Sequence, residues 1–136
     1  MKQLSKTAYF AISLSNRPRL ATELGVVREL SDKLGIKLNV FVDEHHFAPH
    51  QEKEMMMQAF EEIEASDFLI AELSKKAIGV GVEVGYAKAL GKTIIYLKKE
   101  AANYSTTVGG CADIKISYAD PEDLKKKLEE KMLGLL

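Results

Sequence analysis

Phe68-Leu69-Ile70-Ala71 carries no polar side chain, so as a strand it must be covered on both of its faces. Thr93-Ile94-Ile95-Tyr96-Leu97 has the same character. Two such strands demand a sheet sandwiched between helical layers, and the rest of the chain supplies the helices. Ala8–Ile12 reads as a first strand and Leu38–Val42 as a second, with Ile114–Tyr118 as a shorter fifth. Between them, Pro18 opens a helix with Leu20, Leu24, Val27 and Leu34 at helical spacing and Gly35 as its stop. A helix from about 51 to 65 carries Met56, Phe60 and Ile63 on one face, and Val82–Leu90 reads as another, ended by Gly91. Asp120-Pro121 caps a last helix carrying Leu124, Leu128 and Met132. This alternation implies right-handed βαβ units and a parallel sheet. The expectation is one α/β domain over residues 1–136, a flavodoxin-like three-layer sandwich whose five strands run in the order 2-1-3-4-5.

Composition removes several functions. A net charge of −1 with no basic block gives no electrostatic footprint for nucleic acid. The single Cys111 has no disulfide partner within the chain and fits a reducing compartment as a small apolar residue. Met1–Lys6 lacks the apolar core of a signal peptide and no run approaches membrane-spanning length, so a cytoplasmic protein without membrane association is expected.

The chemistry concentrates in Gly79-Val80-Gly81-Val82-Glu83-Val84-Gly85, just after the third strand. Ligands of open α/β sheets bind at the carboxyl ends of strands, and this strand order sets Tyr9–Ser15 opposite Gly79–Glu83 across the switch point. The segment is no dinucleotide fingerprint, because Val84 stands where the third glycine is needed. It is no P-loop either, because Glu83 stands where positive charge is wanted. With the helix starting near Val82, Glu83 falls in its first turn, as an ionised nucleophile facing the crevice or as a capping acid facing solvent.

Tyr9-Phe10, the Ser66–Glu72 segment and above all Gly79–Ala87 resemble the nucleoside 2-deoxyribosyltransferase family, most closely its branch of 2′-deoxynucleoside 5′-phosphate N-hydrolases. The resemblance spans Ala8 to the last helix. It implies that Glu83 attacks the anomeric carbon of a deoxyribose with Tyr9 beside it. It further implies that Gly79 and Gly81 flank the sugar, and that Ser13 binds a 5′-phosphate. Ser105, in the polar stretch after the fourth strand, would reach that phosphate from the partner subunit of a homodimer. The implied ligand is a small deoxynucleoside or deoxynucleotide, with no metal and no organic cofactor.

Three positions depart from the family pattern. Ser15 replaces an arginine, with Arg17 and Arg19 further on. Ala77 replaces a serine or an aspartate. Ala59 replaces the helix aspartate that transfers a proton to the base. Glu62, one turn later on the same face, is a candidate substitute, but an offset of about 5 Å is too long for an unadjusted proton transfer.

Asp43-Glu44-His45-His46 and His50 bring every histidine into one loop. Metal binding, a cover for the nucleobase and plain solvation are the readings, and the adjacent histidines without a helical i, i+4 pair disfavour the metal. Met55-Met56-Met57 is expected to fill helix packing, and the Lys125-Lys126-Lys127 run to be a solvated face. Two functions remain: an N-glycosidase or transferase working by retaining double displacement, or a non-catalytic nucleotide-binding module that kept the pocket and lost proton transfer.

Overall fold

The computed structural model describes residues 5–136; Met1–Leu4, part of the N-terminal segment weighed above, lie outside the described residues. Five parallel strands pair in the order β2-β1-β3-β4-β5: β1 (Thr7–Ala11), β2 (Lys37–Val40), β3 (Phe68–Glu72), β4 (Thr93–Lys99) and β5 (Ile114–Tyr118). All five residues of β3 are buried, as an apolar central strand requires.

Side-chain alternation along the strands divides the core into two layers. Ala8, Phe10, Ile70, Ile95 and Leu97 pack with Leu24, Val27 and Leu30 of α1 (Ala21–Lys33) and with Leu124, Leu128 and Met132 of α6 (Pro121–Leu133). Tyr9, Ala11, Leu69, Ala71, Ile94 and Tyr96 point the other way. They meet Ala59 and Ile63 of α3 (Glu52–Glu64), Val80, Val84 and Ala87 of α4 (Ile78–Ala89), and Val108 of α5 (Thr106–Cys111). The chain therefore leaves β1 toward one face and β3 toward the other, which opens a crevice between two neighbouring strands. Among the described residues no helix is long and apolar enough to cross a membrane.

Four local expectations change. The second strand stops at Val40, and Phe41–Glu44 forms a helical turn (α2) that carries Phe41 over Tyr9, with ring centroids 6.1 Å apart. Asp43 in that turn is held by Arg17 and Arg28, which gives the bend an anchor that hydrophobic patterning does not reveal. Pro18 sits in a 3-10 turn, Arg17–Leu20, and the α-helix begins only at Ala21.

The helix that carries Glu83 starts at Ile78, four residues before the expected Val82, and takes Gly79 and Gly81 into its first turns. Glycine costs about 1 kcal/mol in a helix interior but does not forbid one. The buried stripe Val80, Val84 and Ala87 outweighs that cost. Positive φ occurs only at Gly35 and Gly91 among the described residues, the two helix stops anticipated above.

Finally, α5 arises in the polar stretch after β4, with Ser105 as its cap. Periodicity over six residues is too short to announce it. On α3, Ile63 is buried and Phe60 stacks on Tyr86 at 4.2 Å, while Met57 points outward at 61% exposure. The lysine run of α6 is solvated as expected, Lys125 pairing with Glu29 at 3.0 Å and Lys127 with Asp123 at 2.9 Å.

Candidate active site

The early start of α4 decides what Glu83 can be. It lies in the second turn, where backbone N–H groups are already committed within the helix, so it is no capping acid. Val80, Val84 and Ala87 press the helix onto the sheet, and Glu83 shares their face. The alternation of β1 turns Tyr9 toward the same layer, fully buried. The Tyr9 hydroxyl donates to Oε2 of Glu83. Burial pushes the Glu83 carboxyl up to about 7, although the Tyr9 hydrogen bond pulls the other way. Burial and then the adjacent Glu83 charge raise the Tyr9 phenol far above its ordinary range, so it remains a donor at any working pH.

Around this pair opens a cavity of about 350 Å³, within the range of small-molecule sites. Ser13, Phe41, His45, Met56 and Gly79 share its lining with Tyr9 and Glu83. The Ser13 hydroxyl accepts from the Asn16 backbone N–H at 3.2 Å and lies 3.5 Å from the Ser15 hydroxyl. Gly81 does not line the cavity, because two residues along α4 rotate it about 200° from Gly79, to the other side of the helix. Ala77 and Ala59 do line it, so both departures from the family pattern leave methyl groups where polar side chains were expected.

Ser105 lies elsewhere in this chain. Its polar stretch, 103–107, is exposed except at Ser105 itself, which is buried: its hydroxyl accepts from the Val108 N–H at 3.2 Å, and its own N–H donates to the Tyr96 hydroxyl at 2.9 Å.

Among the described residues no lysine or arginine side chain lines the cavity. Arg17, the nearest candidate in sequence to the missing arginine, forks onto Asp43 through Nε at 2.8 Å and Nη2 at 3.0 Å, and Arg28 adds a contact at 2.8 Å. The Arg17 hydrogen bonds hold the Asp43 carboxyl below the usual carboxylate range.

Sequence reasoning weighed His45 and Glu62 separately and did not bring them together. The Nε2 of His45 lies 2.7 Å from Oε2 of Glu62, which also accepts from Gln58 Nε2 at 2.7 Å, while Glu62 Oε1 accepts from Asn39 Nδ2 at 2.5 Å. With Glu44 these groups bring ligand atoms within 4.8 Å of one another. Glu62 is already engaged by three donors, so the cluster reads as a hydrogen-bond network rather than a metal centre. Asp43-Glu44-His45 beyond β2 and Glu62 one turn past Ala59 were the signals in the sequence.

The family model described as nucleoside 2-deoxyribosyltransferase matches residues 8–132. This chain belongs to the nucleoside 2-deoxyribosyltransferase family. No curated protein sequence matches it. The CMP N-glycosidase of Clostridium botulinum superposes with a TM-score of 0.70 at 19% identity, covering 91% of this chain and 99% of that one. A conserved protein of Enterococcus faecalis V583 gives 0.75 at 18%, covering 94% and 99%. The 2-deoxyribosyltransferase of Bacillus psychrosaccharolyticus gives 0.69 at 15%, covering 88% and 90%. At these identities the likeness speaks for the shared fold.

Proposed function

We propose that this protein cleaves or transfers the N-glycosidic bond of 2′-deoxyribonucleosides or their 5′-monophosphates through a covalent glycosyl-Glu83 intermediate. The observation that carries the reading is a carboxylate under a buried tyrosine, at the carboxyl edge of β1 and β3, facing an apolar cavity. Tyr9 occupies Oε2 of Glu83 and leaves Oε1 for attack on C1′. A fixed phenol donor orients the nucleophile and, by lowering its pKa, favours the ionised carboxylate that attacks. Water or a second base then releases the sugar with overall retention. Family membership supports the bond type, and Gly79 at the cavity wall lets a sugar approach the helix backbone.

The protein would work as a cytoplasmic homodimer without a metal or organic cofactor, with Ser13 from one subunit and Ser105 from its partner on the 5′ position. A second reading, a non-catalytic nucleotide-binding module, draws on Ala59 and Ala77, which leave no carboxylate at the family's proton-transfer position.

One assay separates the two. The protein is incubated with the four deoxynucleosides and their 5′-monophosphates, and free base is measured by chromatography. Because the Clostridium botulinum neighbour is named for CMP, a ribonucleotide, CMP and cytidine join the panel. Release of base from any deoxy substrate supports the enzyme. Binding of deoxynucleotides with no release supports the module.

A further inference from the structure

The family's helix aspartate is absent, and Ala59 lines the cavity in its place. Glu62 lies one turn along α3, behind the cavity wall. An offset of about 5 Å excludes direct proton transfer from Glu62 to a substrate. His45 spans that gap. One edge of its ring meets Glu62 through Nε2 at 2.7 Å, and the residue itself lines the cavity that holds Glu83. Its Nδ1 has no protein partner among the described residues and is not among the buried unpartnered atoms, so it is open to a ligand.

The setting fixes both partners. Glu62 is held by Asn39 and Gln58, and its carboxylate accepts the Nε2–H, which makes Nδ1 the working nitrogen. Phe41 packs against the imidazole in a tilted arrangement at a centroid distance of 4.7 Å, and Phe47 flanks it at 5.9 Å. A carboxylate behind an imidazole stabilises the imidazolium and orients its second nitrogen, the arrangement that serves proton transfer in other hydrolases.

We propose that His45, oriented by Glu62, is the general acid that protonates the departing nucleobase, replacing the absent aspartate. The inference rests on the glycosidic reading given under Proposed function. In the first step the Glu83 Oε1–C1′ bond forms as the C1′–N bond breaks, and that bond's electron pair moves onto the base. The proton on Nδ1 of the imidazolium passes to a base nitrogen, leaving neutral His45 with its Nε2–H on Glu62. In the second step water attacks C1′, the C1′–O bond to Glu83 breaks, and the proton lost by water returns to Nδ1.

The test compares leaving groups. One substrate is whichever deoxynucleoside or deoxynucleotide releases base fastest in the panel above. The other is 4-nitrophenyl 2-deoxy-β-D-ribofuranoside, whose nitrophenolate departs without a proton. His45→Gln should slow base release by roughly 100-fold or more, the usual scale of general acid catalysis, yet slow nitrophenolate release by less than about fivefold. Glu62→Gln, which retains an acceptor oxygen but loses the charge, should show the same split in smaller measure, roughly tenfold against little change. Equal slowing on both substrates, in variants whose melting curves match the wild type, overturns the relay and makes His45 a structural residue. Unchanged release of the natural base overturns it as well. A wild-type protein inert across the whole panel overturns the glycosidic reading itself, and the relay with it.

Discussion

The Tyr9 phenol and the Glu83 carboxylate, 74 residues apart in the chain, meet as donor and acceptor where β1 and α4 face one another. The contact joins a core position of the sheet to the cavity, because Tyr9 is fully buried while Glu83 reaches the opening. A nucleophile set this way is held by packing rather than by a flexible loop.

Glu83→Gln should remove base release by three orders of magnitude or more, an outcome that single-turnover chromatography reads directly. The same variant should fold, and at alkaline pH it should be the more stable protein. The Glu83 carboxyl is raised from 4.5 to about 7 in the fold, so its stabilising contribution is complete below 4.5 and is lost as pH rises through 7. The loss is on the order of 2 kcal/mol once screening through the cavity mouth is allowed for. Melting temperatures of the two proteins should therefore converge near pH 5 and separate by pH 8, with the wild type lower. Parallel curves would mean that Glu83 is not desolvated.

Tyr9→Phe keeps the ring in the core and deletes only the hydroxyl. The hydrogen bond from Tyr9 lowers the Glu83 pKa, so its removal should push that pKa further up. Because attack needs the ionised carboxylate, the acid limb of kcat/KM should lie near pH 7 in the wild type and shift to higher pH in the variant. A profile reduced in height but unmoved would assign Tyr9 to packing alone.

The sheet was readable because its central strands are apolar on both faces; nothing but a covered parallel sheet accommodates Phe68–Ala71 and Thr93–Leu97. The meeting of Tyr9 with Glu83 followed from strand order. What escaped was set by side chains acting over distance. Two glycines argued for a loop at 79–81, but the stripe Val80, Val84 and Ala87 drew them into helix and moved Glu83 out of the first turn. Glu62 looked misplaced until Asn39, His45 and Gln58, from three different elements, closed on it. The helix that Ser105 caps went unseen because six residues have no periodic pattern to show.

Ribose substrates should react more slowly than deoxyribose ones. A 2′-hydroxyl withdraws electrons from the oxocarbenium-like transition state, and under the proposed reading Tyr9 and Gly79, both in the cavity lining, would crowd that side of the sugar. The ratio of kcat/KM for deoxycytidine and cytidine, and for their monophosphates, measures this. Equal values would mean that the cavity wall near Tyr9 does not read the sugar.

The 5′ position supplies the last test. Ser105→Ala removes a helix cap and should cost about 1 kcal/mol of stability whatever the substrate. If Ser105 also serves a partner's phosphate, the variant should raise KM for a 5′-monophosphate about tenfold and spare the nucleoside, since a charge-assisted hydrogen bond contributes roughly 1.5–3 kcal/mol. Among the described residues, however, no lysine or arginine lines the cavity, and Arg17 beside Ser13 is held by Asp43. Asp43→Asn weakens that hold and should lower KM for the monophosphate relative to the nucleoside. Sedimentation in parallel reports the dimer that the shared site requires. A fully active monomer, or equal effects of Ser105→Ala on both substrates, would place phosphate recognition within one chain or dispense with it, leaving the unphosphorylated nucleoside as the ligand that a largely apolar cavity lined by neither lysine nor arginine among the described residues suits.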